Sequence, residues 1–278
     1  MIAHRRPFAR VLLAACGALV AHSACAFECL VEPMQHVEIR SPIIGTLEDI
    51  TVHRGDRVKK GQVIVTLESR AERASADLAK YKSNLQGPTQ AATAKLEYAK
   101  RRAERRHQMQ KENLMSMQDS EDAEGDMKTA EAELLVAREN KEVARLESEE
   151  QNGLLSRRTI LSPFDGVVAD QLLYPGEVVD PNDPKKPILK LVQIDPLRVH
   201  VILPRAVFGK IRKGMTGEIT PEAPATASVK GTVRIVDAVV DAASGTFGAF
   251  LEVPNPKLEV PAGLRCTASF AGVSEKSN

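Results

Sequence analysis

The stretch Ile39-Arg40-Ser41-Pro42-Ile43-Ile44-Gly45-Thr46-Leu47 has a counterpart 121 residues later, Ile160-Leu161-Ser162-Pro163-Phe164-Asp165-Gly166-Val167-Val168. Each copy is followed by a second turn, Gly55-Asp56-Arg57-Val58 after the first and Gly176-Glu177-Val178-Val179 after the second. The Ser, the Pro and both Gly positions keep the offset of 121. Glycines between short apolar strands indicate β-turns. The two half-motifs therefore predict one small β-module whose halves are separated by an insertion.

The insertion, residues 69–156, has the pattern of a helical hairpin. Alanine and larger apolar residues recur at steps of three and four on both arms, which predicts a narrow coiled-coil seam. We expect the turn near Glu112 to Ser116, and a kink or break at Gly87-Pro88 because proline cannot continue a helix. The expected seam residues are Ala71, Ala74, Leu78, Tyr81 and Leu85 in the first arm, and Ala123, Met127, Ala130, Leu134, Ala137, Lys141 and Ala144 in the second.

The region after Asp195 has the pattern of a small antiparallel β-barrel. Val199, Val201 and Leu203 alternate along one strand, and glycines separate several further short strands. Short strands at regular spacing are typical of β-barrels and sandwiches. We expect strands over 216–220, 228–240, 246–253 and 264–270, and one short helix within 204–211.

The N-terminus has the composition of an export signal. Positive charges precede an apolar stretch too short to span a bilayer, and small residues follow it. We expect cleavage after Ala26 and a periplasmic mature chain, peripheral to the membrane; the alternative is lipidation at Cys16. The segments concerned are Arg5, Arg6 and Arg10, then Val11 to Ala21, then Ala24-Cys25-Ala26.

Cleavage would leave two cysteines, Cys29 and Cys266. An exported protein can keep a disulfide, and these residues could pair if the two ends of the mature chain meet in space. Two independent thiols are the alternative.

Charge and motif content argue against several function classes. The net charge of +1 indicates no strongly basic face, so nucleic acid is not an expected partner. The six histidines are scattered without metal-ligand spacing, and no phosphate-binding loop, Rossmann motif or nucleophile elbow occurs. We therefore expect no enzyme activity, no cofactor and no metal site.

The repeated half-motif resembles the biotinyl and lipoyl carrier domains, which are flattened β-sandwiches of two quasi-symmetric halves. In the carriers, a hairpin between the halves presents a modified lysine, commonly flanked by methionines. Here Glu68-Ser69-Arg70 and the helical insertion occupy that position. A carrier role is therefore not expected.

A lipoyl-like module split by a coiled-coil hairpin and followed by a β-barrel resembles the periplasmic adaptors, also called membrane fusion proteins (the HlyD-like family of tripartite efflux systems). The similarity covers about residues 30–270. Its strongest local matches are Ser162 to Val168, Gly55 to Gln62, and the barrel segment Val240 to Phe247, which looks like adaptors of resistance-nodulation-division (RND) pumps. The resemblance implies an elongated, modular α+β fold with a split lipoyl-like barrel-sandwich hybrid, an antiparallel coiled-coil α-hairpin and an antiparallel β-barrel.

The resemblance also implies domain bounds, partners and a contact site. The implied partners are an inner-membrane RND transporter, a TolC-like outer-membrane channel, and further copies of the chain in a ring of six. In that family an Arg, a Leu four residues on and a Ser seven further on contact the channel from the hairpin tip; Arg105, Met109 and Ser116 have this spacing. The expected domains are a signal peptide at 1–26, the lipoyl-like module at 27–68 and 157–195, the hairpin at 69–156, the barrel at 196–272, and a polar tail at 273–278.

Three alternatives stay open. The arginines around position 105 could belong to an ordinary solvated helix that ends in a turn. Familiar adaptors of RND pumps carry a fourth, membrane-proximal domain for which we see no room after the barrel, which leaves an adaptor of an ABC-type exporter or a type I secretion system as a second function. The third is an exported binding or scaffold protein.

Overall fold

The computed structural model describes residues 26–183, 186–223 and 227–273, which form two compact units. One unit is Met34–Ile194; the other joins the residues up to Pro33 with those from Asp195 onward. The expected signal segment before Ala26, the Cys16 alternative and the tail from residue 274 lie outside the described residues.

The helices are α1 Arg70–Ser83, α2 Gly87–Lys111 and α3 Met117–Ser156. The strands are β1 Phe27–Ile39, β2 Gly45–Ile50, β3 Arg57–Val58, β4 Val63–Leu67, β5 Thr159–Leu161, β6 Gly166–Gln171, β7 Val178–Val179, β8 Leu189–Pro204, β9 Thr216–Pro221, β10 Val229–Val236, β11 Thr246–Val253 and β12 Arg265–Phe270.

The two half-motifs form one module, as predicted, and they pair with each other across a quasi-twofold relation. Strand β2 pairs with β7, and β3 pairs with β6, so each half contributes one strand to each pair. The backbone N–H of Leu47 donates to Glu177 O at 2.8 Å, and the N–H of Val168 donates to Asp56 O at 2.9 Å. These two bonds correspond to each other under the offset of 121, which shows that the sequence repeat is a structural repeat.

The serine and glycine that recur at the same spacing in the two halves make the same local contacts and turns in each half. Ser41 and Ser162 are both buried, and each hydroxyl donates to the backbone carbonyl two residues further on; the bond from Ser162 Oγ to Phe164 O is 2.7 Å. The turn glycines Gly55 and Gly176 have φ of 95° and 94°, a left-handed conformation that favours glycine. The same turn chemistry therefore builds both halves.

The core of this module is aliphatic and lies between the two sheets. Strands β5, β4, β2 and β7 form a four-stranded sheet, and β3, β6 and the first part of β8 face it. Removing these side chains from water supplies the main stabilisation of the module. The fully buried members are Leu47, Ile64, Val65, Leu67, Ile188, Leu189 and Leu191.

The hairpin is built from two helices in its first arm and one in its second. The first arm breaks between Ser83 and Gly87, and Pro88 occupies the first turn of α2, where its missing N–H costs nothing. The tip turn falls between Lys111 and Met117, which confirms the predicted position.

The predicted seam is correct in the second arm and wrong in the first. In α3, Ala123, Ala130 and Leu134 are buried as expected, whereas Lys141 is exposed. In α1 the buried residues are Ala76 and Ala79, and the predicted seam residues Leu78, Tyr81 and Leu85 are exposed. Alanines occur on both faces of α1, so periodicity alone did not distinguish them; the smaller pair faces α3 because it allows a closer approach of the two backbones.

Arg158 fastens the base of the hairpin to the β-module. Its guanidinium forms an ion pair with Glu72 in the first turn of α1, and both side chains are largely buried. Its Nη1 lies 3.5 Å from Ile44 O. Its backbone oxygen accepts the N–H of Leu67, at the end of β4, at 2.8 Å. These contacts hold the two ends of the insertion side by side.

The second unit is a six-stranded antiparallel barrel, as predicted. The order β1-β12-β9-β10-β11-β8 closes because β1 also pairs with β8. Residues 27–33, which the sequence assigned to the lipoyl-like module, lie in this unit, and Phe27, Cys29 and Val31 alternate into its core. The short helix expected within 204–211 is a 3₁₀ turn, Arg205–Val207.

Candidate functional site at the hairpin tip

The hairpin tip is a tight turn fixed by backbone and capping hydrogen bonds. Asn113 adopts a left-handed φ of 54°, and the N–H of Leu114 donates to Met109 O at 2.9 Å. Ser116 is the N-cap of α3, and its hydroxyl accepts the N–H of Asp119 at 3.2 Å. A serine at this position satisfies a helix N–H that would otherwise lack a partner. The tip therefore presents its side chains from a defined backbone.

Ion pairs hold most of the arginines near the tip. Arg102 contacts Asp126 at 2.9 Å and Arg106 contacts Asp119 at 3.8 Å, both across the two arms, whereas Arg101 contacts Glu97 at 3.7 Å within α2. The two pairs that join α2 to α3 help to fix the alignment of the helices close to the tip.

Arg105 differs from its neighbours. Its side chain is exposed and, within the described residues, makes no ion pair or side-chain hydrogen bond. A guanidinium that is free in the monomer keeps all five N–H donors available to a partner. The structure thus distinguishes one arginine of the cluster from the three that stabilise the hairpin.

Large apolar side chains are exposed beside this arginine. Met109 lies one helical turn from Arg105 on the same face of α2 and is 40% exposed. Leu114 in the turn and Met117 at the start of α3 are 67% and 68% exposed. A free cation next to exposed apolar groups suits binding to a protein partner with an apolar groove and acceptor groups at its rim.

The structure brings the three predicted contact residues to the tip but gives them different roles. Arg105 and Met109 are free on α2, whereas Ser116 is engaged in capping α3 through Asp119. Their contact with a channel stays a prediction. The sequence did not single out Leu114 and Met117, although two large apolar residues in a turn segment are themselves a signal of an exposed binding surface.

The two cysteines lie directly opposite each other on β1 and β12 and are joined. Their Cα atoms are 4.8 Å apart, and Cys29 and Cys266 form a disulfide with an Sγ–Sγ distance of 2.09 Å. Both residues are buried in the barrel unit.

The described residues contain no group of three or more His, Cys, Asp or Glu side chains that could hold a metal ion. Across the same described ranges, no helix is both long and apolar enough to cross a membrane.

Comparison with known proteins places these features in context. Residues 34–185 match the family described as CzcB-like, barrel-sandwich hybrid domain. Among curated relatives, a UPF0194 membrane protein of Acidithiobacillus ferridurans is 28% identical over 231 residues, covering 69% of this chain and 68% of that protein. The pyoverdine export membrane fusion protein PvdR of Pseudomonas putida is 25% identical over 206 residues, covering 74% of this chain and 53% of that protein.

A solved structure shares the fold. The crystal structure of MacA from Actinobacillus actinomycetemcomitans superimposes with a TM-score of 0.72 at 20% identity, covering 89% of this chain and 78% of MacA.

Proposed function

Because the chain belongs to the CzcB-like barrel-sandwich hybrid family, we propose that it is a periplasmic adaptor subunit of a tripartite efflux pump. In this role it links an inner-membrane RND transporter to a TolC-like outer-membrane channel, through which a substrate is exported. Membrane fusion proteins are in general not enzymes, and the proposed role is one of assembly. The observation that carries the proposal is the free Arg105 beside exposed Met109 at the end of a hairpin inserted into the hybrid module.

The working location follows from the same role. An adaptor acts in the periplasm, and the Arg-rich start followed by an apolar stretch and Ala24-Cys25-Ala26 would direct the chain there with cleavage after Ala26. The oxidising environment of that compartment suits the Cys29–Cys266 disulfide.

Self-association into a ring is supported by two exposed apolar stripes on the hairpin. The α1 stripe is Ala71, Ala74, Leu78, Tyr81 and Leu85; the α3 stripe is Leu135, Val136, Val143, Leu146 and Leu154. Tyr81 follows buried Ala79 by two residues, and Val136 follows buried Leu134 by two, which places both about 200° round their helices from the seam. The stripes therefore lie on opposite flanks of the hairpin.

Both stripes also lie in the part of the hairpin near its base. Apart from Ala71, which directly precedes Glu72, their residues fall between the Arg158–Glu72 pair and the Lys95–Glu133 pair, whose shortest contact is 2.6 Å. Packing the α1 stripe of one copy on the α3 stripe of the next is a head-to-tail contact, and such contacts close into rings when the rotation allows. A ring of six is the number that the family resemblance implies.

The test of the proposal is the charge reversal Arg105→Asp. We expect it to reduce the amount of outer-membrane channel crosslinked to the adaptor in cells by about thirtyfold or more, because truncation of a central interface arginine typically costs ~2 kcal/mol or more. Export of the pump substrate should be lost as well. Arg101→Asp is the matched control: it makes the same charge change one helical turn closer to the base, at a residue already paired with Glu97.

Both variants should be secreted and folded, and their melting temperatures should lie within a few degrees of that of the unmodified protein, since the exposed Arg101–Glu97 pair contributes only about 0.3–0.5 kcal/mol. Equal channel recovery for Arg105→Asp and the unmodified protein would contradict docking through the tip. Recovery of an ATPase subunit instead of an RND transporter with the crosslinked complex would favour the ABC-type or type I alternative.

A further inference from the structure

The apolar part of the hairpin tip is built largely from methionine. Seven methionines occur in the chain, and three of them, Met109, Met115 and Met117, fall within nine residues around the turn. Among the six methionines that the structure describes, Met109 and Met117 are the exposed ones, at 40% and 68%. Concentration of exposed thioethers at one surface means that any agent reacting with accessible methionine acts first on this surface.

The other four described methionines are less exposed. Met34, Met115, Met127 and Met215 are each partly buried. The sulfur of Met215 also accepts the backbone N–H of Arg212 at 3.2 Å, which engages one of its lone pairs. Oxidation of methionine follows sulfur accessibility, so the two tip residues differ in reactivity from the rest of the described chain.

We infer that Met109 and Met117 form an oxidation-sensitive site that controls docking of the hairpin tip. The inference rests on the proposed function, since it concerns the surface by which the adaptor would meet the channel. The reagent class is a two-electron oxidant such as a hydroperoxide or a hypohalous acid, to which a periplasmic protein is exposed.

The reaction with hydrogen peroxide balances without a further reactant. A lone pair of the thioether sulfur attacks one peroxide oxygen, the S–O bond forms and the O–O bond breaks. The proton of the attacked oxygen passes to the departing hydroxide, which leaves as water. The sulfur is oxidised by two electrons, the peroxide is reduced, and the side chain becomes a methionine sulfoxide.

The product changes the binding chemistry of the tip. A sulfoxide oxygen is a strong hydrogen-bond acceptor, and burying it in an apolar groove without a donor is unfavourable. Met109, Leu114 and Met117 are the exposed large apolar side chains around the turn, so oxidation of both methionines would leave one apolar anchor where there were three. The hairpin fold should persist, since both side chains are exposed. Methionine sulfoxide reductases reverse the change, so the effect is reversible.

The test uses the purified full-length mature chain and a purified TolC-like channel from the same bacterium. Graded hydrogen peroxide is followed by peptide mass spectrometry, and binding to the channel is measured before and after treatment. We expect sulfoxide at Met109 and Met117 before Met34, Met115, Met127 and Met215. We also expect binding about tenfold weaker or more, equivalent to ~1.4 kcal/mol. The double variant M109L/M117L should have the same affinity before and after peroxide treatment, measured against its own untreated value, whereas the control M127L should lose affinity on oxidation as the unmodified protein does.

Three results would overturn the inference alone. The oxidised protein could bind the channel within twofold of the untreated protein, M109L/M117L could lose as much affinity in peroxide as the unmodified protein does, or the four less exposed methionines could be oxidised before Met109 and Met117. Failure of the untreated chain to bind the channel would overturn the proposed docking function and this inference with it. Circular dichroism of the oxidised chain should be unchanged, which separates loss of docking from loss of fold.

Discussion

The two equivalent glycines of the repeated motif should respond differently to the same substitution, Gly→Ala. A Cβ on Gly166 would lie 2.6 Å from the backbone oxygen of Val192 and 2.9 Å from the ring of Phe164. Val192 is paired with β6 through Val167, so its carbonyl cannot move without disturbing the ladder between β6 and β8. A Cβ on Gly45 would instead lie 2.7 Å from Nη1 of Arg158, the end of a flexible side chain.

The expected energies follow from these contacts. Overpacking against fixed atoms costs about 1–3 kcal/mol, and alanine regains roughly 0.4–1 kcal/mol by restricting the unfolded chain. Gly166→Ala should therefore lower the free energy of unfolding by about 1–2 kcal/mol. Gly45→Ala should change it by less than about 0.5 kcal/mol, because only Nη1 of Arg158 needs to shift a short distance, and Nη2 can keep its ion pair with Glu72.

Equilibrium unfolding in urea, followed by circular dichroism at the helical wavelength, measures both variants within the same unit of the chain. With a denaturant slope of about 2 kcal/mol/M, the Gly166 variant should unfold at a urea concentration ~0.5–1 M lower than the Gly45 variant. A Gly45 variant as destabilised as the Gly166 variant would refute the claim that the fixed or movable character of the facing atom decides the cost.

Three further predictions concern the disulfide, the hairpin base and one acidic turn. Replacing both Cys29 and Cys266 by Ala should lower the free energy of unfolding of the barrel unit by about 2–5 kcal/mol, and reductant should reproduce this in thermal melts of the unmodified protein. Arg158→Met leaves the largely buried Glu72 carboxylate unpaired and should lower the free energy of unfolding by about 1–3 kcal/mol. Adding Glu72→Met should restore most of this loss. A double-mutant cycle measured by urea unfolding that gives no coupling energy between the two residues would contradict this role of the pair. The pKa of the Asp241 carboxyl lies below its usual value because the group accepts a backbone N–H two residues on and a neighbouring serine hydroxyl. Its contribution to stability is thus present near neutral pH and is lost as pH falls through that lowered pKa. An NMR titration of the carboxyl carbon would measure the pKa, and a titration midpoint at the usual value for an aspartate would contradict the prediction.

The modular architecture was predictable because its signals are local and repeated. The offset of 121 residues located both halves of the hybrid module, and the structure pairs β2 with β7 and β3 with β6 at that offset. Glycine turns and short apolar strands likewise located the barrel. In each case the element was identified by residues whose backbone conformation or spacing is compatible with few other local structures.

Features decided by packing between distant segments were not predictable. Leu78 and Tyr81 fit a helical period as well as Ala76 and Ala79 do, and only the closeness of α3 selects the smaller pair for the seam. Residues 27–33 were predicted to belong to the lipoyl-like module that follows them in the sequence. They lie in the barrel unit because β1 pairs with β12, which is more than two hundred residues away. At the tip, the spacing to Met109 and Ser116 selected Arg105 from a cluster of four arginines, but only the positions of Glu97, Asp119 and Asp126 show that its three neighbours are held in ion pairs.

The hydrogen bond from Leu67 N to Arg158 O allows the length of the hairpin to vary. Because it brings the start and the end of the helical insertion together, a longer, shorter or foreign hairpin can be grafted between the same two strands without displacing them. Each added helical turn would extend the reach of the protein by ~5.4 Å. The length of the hairpin can therefore change while the strands on either side of it keep their sequence.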